Sequence, residues 1–133
     1  MSESDRLKYL KFALRVFAVV FTFGFYPFTV VWPSGWAWHA GQSEYLQMMI
    51  AIYATLGVFV WLASRDPERH VSLISFTIWS SIVHGATMAV QSVANAQRFG
   101  HLYGDVPALL VVAAVLAWLS PQALTLGFAR NAA

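Results

Sequence analysis

Residues 71–96 read VSLISFTIWSSIVHGATMAVQSVANA, a run with no Asp, Glu, Lys or Arg in it. Crossing roughly 30 Å of hydrocarbon takes about 20 residues of helix at about 1.5 Å each, so this run is long enough to span a bilayer. Its polar side chains are Ser, Thr, Gln, Asn and one His, all of which can stay neutral. Inside lipid a continuous segment of this kind must be helical, because only a helix satisfies its own backbone donors and acceptors.

Three further runs have the same character. Residues 12–32 carry one charge, Arg15, near the start, and residues 45–63 and 106–128 carry none. The linkers between them are short. Across the 133 residues, 59% are hydrophobic and 11% are charged, against about 25% charged in a soluble domain. An ordinary water-soluble globule is therefore excluded. The runs are continuous rather than alternating, which argues against a membrane β-barrel. The expected fold class is all-α: an integral membrane four-helix bundle forming a single transmembrane domain over residues 1–133. The start of the chain has the basic-then-apolar pattern of a signal peptide, but its apolar run exceeds a typical signal core, so it is read as a retained span.

Orientation follows from lysine and arginine placement. Arg6, Lys8, Lys11 and Arg15 precede or open the first span, Arg65 and Arg69 lie between the second and third, and Arg130 follows the fourth. With alternating spans all of these share one side, and Arg98 alone lies on the other. The expected topology is N-in and C-in.

Local signals mark the span ends. Ser43-Glu44, Asp66-Pro67 and Asp105 read as helix starts, where a capping side chain and an acid in the first turn are favoured. Pro27 should kink the first span near Gly24, since proline removes a backbone hydrogen bond. Residues 110–120 are too short to span alone, so helix is expected to continue past Pro121.

The third span carries a polar stripe. At about 100° per residue, Thr77, Ser81, His84, Met88, Gln91 and Asn95 share one arc, with Ser80 and Thr87 at its edge, while Ile78, Ile82, Ala86, Ala89 and Val93 oppose it. A helix in lipid turns such an arc inward. His84 lies near mid-membrane with no acid at its depth, and a charge there is costly, so it is read as neutral or paired. Tyr53 of the second span, or neighbouring hydroxyls, are its expected partners. If the second and third spans are adjacent, Glu44, Gln47, Met48, Gln91 and Asn95 form an outward vestibule with His84 at its floor. The expected ligand-lining residues are His84, Met88, Gln91, Tyr53 and Gln47.

Other chemistry is narrowed by what is missing. With no cysteine, disulfides, thiolate metal sites and thiol catalysis are excluded, and no G-x-S-x-G or phosphate-binding glycine loop occurs. His70 and His84 share a face but lie about 21 Å apart along a helix, too far to ligate one ion. On the outer side His39, Glu44, His101 and Asp105 make a metal-ligand set of the right donor types. Phe21, Phe23, Phe25, Tyr26 and Phe28, followed by Trp32, Trp36 and Trp38, read either as an interfacial belt or as an aromatic wall beside a lipophilic guest. A net charge of +2 gives no reason to expect nucleic acid.

The run Asp66-Pro67, His70, Ser72-Leu73-Ile74, Trp79-Ser80-Ser81 and His84-Gly85 resembles a signature of small four-span bacterial inner-membrane proteins without an assigned function. That resemblance implies a bacterial cell-membrane setting and no mechanism. Two functions are expected from the residues: an accessory subunit or lipophilic, quinone-like ligand-binding bundle with a polar pocket around His84, or a metal or redox protein using His39, His101 and Asp105. The lipid bilayer is the expected partner, with a homo-oligomer or larger membrane complex as an open possibility.

Overall fold

The computed structural model describes residues 1–125. Four helices in it are long and apolar enough to cross a membrane: Glu3–Val31, Glu44–Ala63, Pro67–Val93 and Ala96–Leu119. They are called here the first to fourth spans. No strand occurs among the described residues.

Each span begins where a side chain or proline suits a helix start. Ser2 caps the first, its Oγ accepting from the Asp5 N–H at 3.1 Å. Ser43 caps the second in the same way, accepting from the Leu46 N–H at 3.2 Å. The third opens with a 3-10 turn, Pro67–His70, with Pro67 in the first turn, and becomes α-helical over Val71–Val93. The fourth opens with the 3-10 segment Ala96–Leu102 and runs as α-helix over Asp105–Leu119.

Two prolines behave differently. Ahead of Pro27 the first span carries a π-helical turn, Val20–Gly24, so the strain expected near Gly24 is absorbed by widening one turn. Pro121 ends the fourth α-helix, because Ser120 leaves the helical conformation and only a 3-10 turn, Pro121–Thr125, follows. The expected continuation past Pro121 is thus corrected. The missing length comes from the other end, where Ala96–Leu102 adds to the span. Residues 126–128 of the expected fourth span, and Arg130, lie outside the described residues.

The first span lies against the second and the fourth, and the third packs most extensively on the fourth. Gly57 allows the first contact: a Cβ there would stand 2.8 Å from the Ala18 carbonyl oxygen and 2.8 Å from the Thr22 nitrogen, and would meet Thr22 Oγ1 as well. The π-turn backbone therefore rests directly on the second span. In lipid there is little hydrophobic drive between helices, and close approach at small residues supplies the attraction instead. The second and third spans touch over only a small part of their length, so the adjacency expected from their short link is shallow.

The half of the bundle near the termini is packed with branched side chains. Leu14, Val60, Ile74, Ile78 and Leu116 are essentially fully buried there. The opposite end is closed by a cap made of the short helix Pro33–Trp36 and the segment Ala96–Leu102. This cap closes backbone to backbone. Gly100 lies on the Ser34 carbonyl and Gly104 on the Gly35 carbonyl and Cα, with no room for a Cβ at either. Gly41 turns the following loop with φ of +79°, and Gln42 Nε2 donates to Thr29 Oγ1 at 3.1 Å, tying that loop to the first span.

Candidate functional site: a cavity beneath the cap

A cavity of about 270 Å³ lies under the cap, between the second, third and fourth spans. Its walls come from six places. The first span supplies Phe25, the cap Trp36, and the following loop Trp38, His39 and Ser43. The second span supplies Tyr45, Leu46, Met49, Ile50 and Tyr53, the third His84 and Met88, and the fourth Asp105 and Leu109. Tyr45 is 79% exposed, so the wall toward the second span borders the surroundings of the bundle.

At its floor the Tyr53 hydroxyl lies 2.7 Å from His84 Nδ1. When Nδ1 is the unprotonated nitrogen, Tyr53 donates to it and Nε2 carries the proton, the neutral form suited to this depth. Aromatic rings hold Tyr53 in place. Phe25 stacks on it at 4.4 Å between centroids, Phe21 meets it edge-on at 5.6 Å, and Trp36 meets Phe25 edge-on at 5.5 Å.

The second polar pair sits at the cap. His101 Nδ1 is 2.8 Å from Asp105 Oδ2, with His101 1% and Asp105 5% exposed. The spacing i, i+4 brings the pair together across the change from 3-10 to α-helix. Trp38 stacks on His101 at 4.2 Å, and the Arg98 guanidinium carbon lies 4.9 Å from the Trp38 ring centre. The main-chain N–H groups of Asp105 and Val106 lie beside the carboxylate, yet Asp105 Oδ1 has no hydrogen-bond partner. Trp36 Nε1, also buried, has none either.

Of the residues expected to line a ligand site, His84, Met88 and Tyr53 are on this cavity, while Gln47 and Gln91 are exposed and off it. The polar stripe of the third span explains the difference. Its buried face runs through Ile74, Thr77, Ile78, Ser81, Gly85, Met88 and Ser92, turned from the expected arc toward Ile78 and Gly85. Thr77 and Thr87 donate to the carbonyls of Leu73 and Val83, one turn back, at 2.9 and 2.8 Å. A hydroxyl satisfied by its own helix needs no polar neighbour, so hydroxyls did not dictate which face turns inward. Asn95 is exposed and caps the Gln97 N–H at 3.0 Å. The expected vestibule of Glu44, Gln47, Met48, Gln91 and Asn95 is therefore replaced by an aromatic one.

The expected metal set is not assembled either. Among the described residues, no three His, Cys, Asp or Glu side chains converge on a position for an ion. His101 and Asp105 bond to each other, while His39 and Glu44 are exposed. Asp105 occupies the first helical position, as expected of a helix-start acid, but its side chain is buried against His101. The aromatic run divides between both readings offered for it. Phe25, Trp36 and Trp38 line the cavity, whereas Phe23, Tyr26 and Trp32 are exposed at belt positions. Glycines were the signal for the cap residues: Gly35, Gly100 and Gly104 mark where the two loops meet without side chains.

Four apolar helices around a capped cavity define a multi-pass membrane protein of the small four-helix class. The chain belongs to a family of unknown function, DUF6632, which it matches over residues 4–130. No curated protein and no solved structure matches it.

Proposed function

We propose that this protein is a binding protein for a lipophilic small molecule, held beneath the cap with its polar end toward Tyr53, His84 and Asp105. One observation carries the reading: an otherwise apolar, aromatic-walled cavity encloses a small number of convergent polar groups, the usual make-up of a small-molecule site. Its volume, about 270 Å³, suits a guest of modest size, and the shallow contact between the second and third spans offers a route from the lipid. The setting we propose is a bacterial cell membrane with both termini in the cytoplasm, supported by Arg6, Lys8, Lys11, Arg15, Arg65 and Arg69 at one end of the bundle and Arg98 at the other.

Native mass spectrometry of the purified protein, followed by identification of co-purified small molecules, tests the binding reading. A Met88→Trp variant fills the cavity. The expected result is a bound lipophilic species on the wild type that this variant lacks. A wild-type protein carrying no such species, and none after incubation with a membrane lipid extract, would count against it. Reporter fusions at each terminus test the topology, since an active periplasmic reporter at either end contradicts it.

A further inference from the structure

Where the first and fourth spans meet, the flank of the bundle carries an apolar groove of about 500 Å³. Tyr9, Phe12, Val16 and Phe17 wall it on one side, Val115 and Trp118 on the other. Leu119 borders this groove and also a second crevice of about 410 Å³ at the end of the bundle. The second crevice is polar. Glu3, Ser4 and Arg6 reach it from the start of the first span, Glu68 from the start of the third, and Gln122 from the turn after the fourth. Helix arithmetic joins the two. At about 100° per residue, Arg6 stands on the stripe of Ala13 and Phe17, which both line the groove, while Lys8, Lys11 and Arg15 lie about 140–180° away. Of the basic residues in the arm, Arg6 therefore heads the groove.

Depth follows from the aromatic side chains. Tyr9 and Trp118 are exposed on the groove, and such rings favour the boundary between hydrocarbon and head groups. From Tyr9 to Val16 the groove runs about 10 Å into the hydrocarbon, while Glu3, Arg6 and Glu68 lie on the head-group side. Lipid is the solvent of this surface, and the charges select among lipids. The ion pairs among the described residues are Lys8–Asp5, Arg69–Asp66 and His101–Asp105. One cation and two anions thus border the polar crevice without closing on each other. A guanidinium can hold two oxygens of a phosphate, and a primary ammonium can donate to carboxylates. A phosphoglycerol head offers the carboxylates no cation, and a phosphocholine head has no N–H to donate. We propose that groove and crevice together bind one phospholipid with a phosphoethanolamine head. Its phosphate lies at Arg6, its ammonium toward Glu3 and Glu68, and an acyl chain between Phe12, Val16 and Trp118. The site lies at the opposite end of the bundle from the capped cavity and does not depend on that cavity holding a ligand.

The test uses the full chain in a non-ionic detergent, titrated with phosphatidylethanolamine, phosphatidylcholine and phosphatidylglycerol of identical acyl chains. Native mass spectrometry reads the first lipid bound. Phosphatidylethanolamine is expected to bind about threefold to fivefold more tightly than the other two, the size of one exposed ion pair. Arg6→Gln should weaken it by a similar factor, whereas Lys8→Gln, on the far side of the helix, should leave it unchanged. Glu3→Gln combined with Glu68→Gln should erase the preference over phosphatidylcholine. Equal binding of the three lipids, or equal effects of Arg6→Gln and Lys8→Gln, overturns the site in favour of an unselective lipid shell. Tighter binding of phosphatidylglycerol that Lys8→Gln weakens overturns it in favour of general attraction by the basic arm. Should a variant fail to fold, the wild-type comparison of the three head groups decides alone.

Discussion

The two ends of this bundle are built on different principles. Toward the termini, Leu14, Val60, Ile74, Ile78 and Leu116 interlock with almost no exposed area; Ser64 and Thr77 donate to carbonyls of their own helices, while Ser75 Oγ and Ser120 Oγ are buried without a partner. Toward the cap, the same four helices enclose a cavity and two histidine-centred hydrogen bonds. Packing is the main source of helix association in lipid. One half of the axis supplies it, which leaves the other half free to carry polarity and space. Dense packing and open space are separated along the bundle axis rather than between core and surface.

Substitutions can break or sharpen that division. The largest effect is expected at Gly57, where a side chain collides with the backbone at Ala18 and Thr22: Gly57→Val should destabilise by about 4 kcal/mol or abolish folding, read as unfolding in mixed micelles. Next comes a paired test of the two halves. Leu116→Ala, in the packed half, should cost about 4 kcal/mol, while Met88→Ala, at a less tightly enclosed position on the cavity wall, should cost about 2 kcal/mol. Equal losses would mean that the halves do not differ in packing. Tyr53→Phe removes the hydrogen bond to His84 and should cost about 0.6–1.7 kcal/mol, the range for interhelical bonds in membranes. The smallest effect is expected at exposed Gln91, where Gln91→Ala should stay within about 0.5 kcal/mol; a larger loss would return the polar stripe to the bundle interior.

The spans were legible because lipid imposes a single rule on the sequence: long uncharged runs must be helices. His84 stood out under the same rule, as the one central imidazole, and Tyr53 as a phenol within reach. The orientation of the polar stripe was not legible. Helical arithmetic places residues on a face but does not reveal that Thr77 and Thr87 turn back onto their own helix. Burial of His101 and Asp105 was hidden for another reason. It depends on two loops distant in sequence meeting at Gly35, Gly100 and Gly104, a contact made by backbone that leaves no trace in hydropathy. Length does not fix the end of the fourth span, because helix can be added equally well before Asp105.

The π-turn Val20–Gly24 has a consequence for how the chain can vary. A π-turn is an α-helix with one residue too many, so removing a residue from Val20–Gly24 restores a regular helix without moving either flank. Leu14 on one side and Phe25 on the other keep their places. Gly57 accommodates the widened backbone at Thr22 as well as the α-helical Ala18 carbonyl, so part of the reason for the glycine goes once the extra residue is gone. Within the family, a one-residue gap at this point and a larger side chain at position 57 are changes expected to travel together.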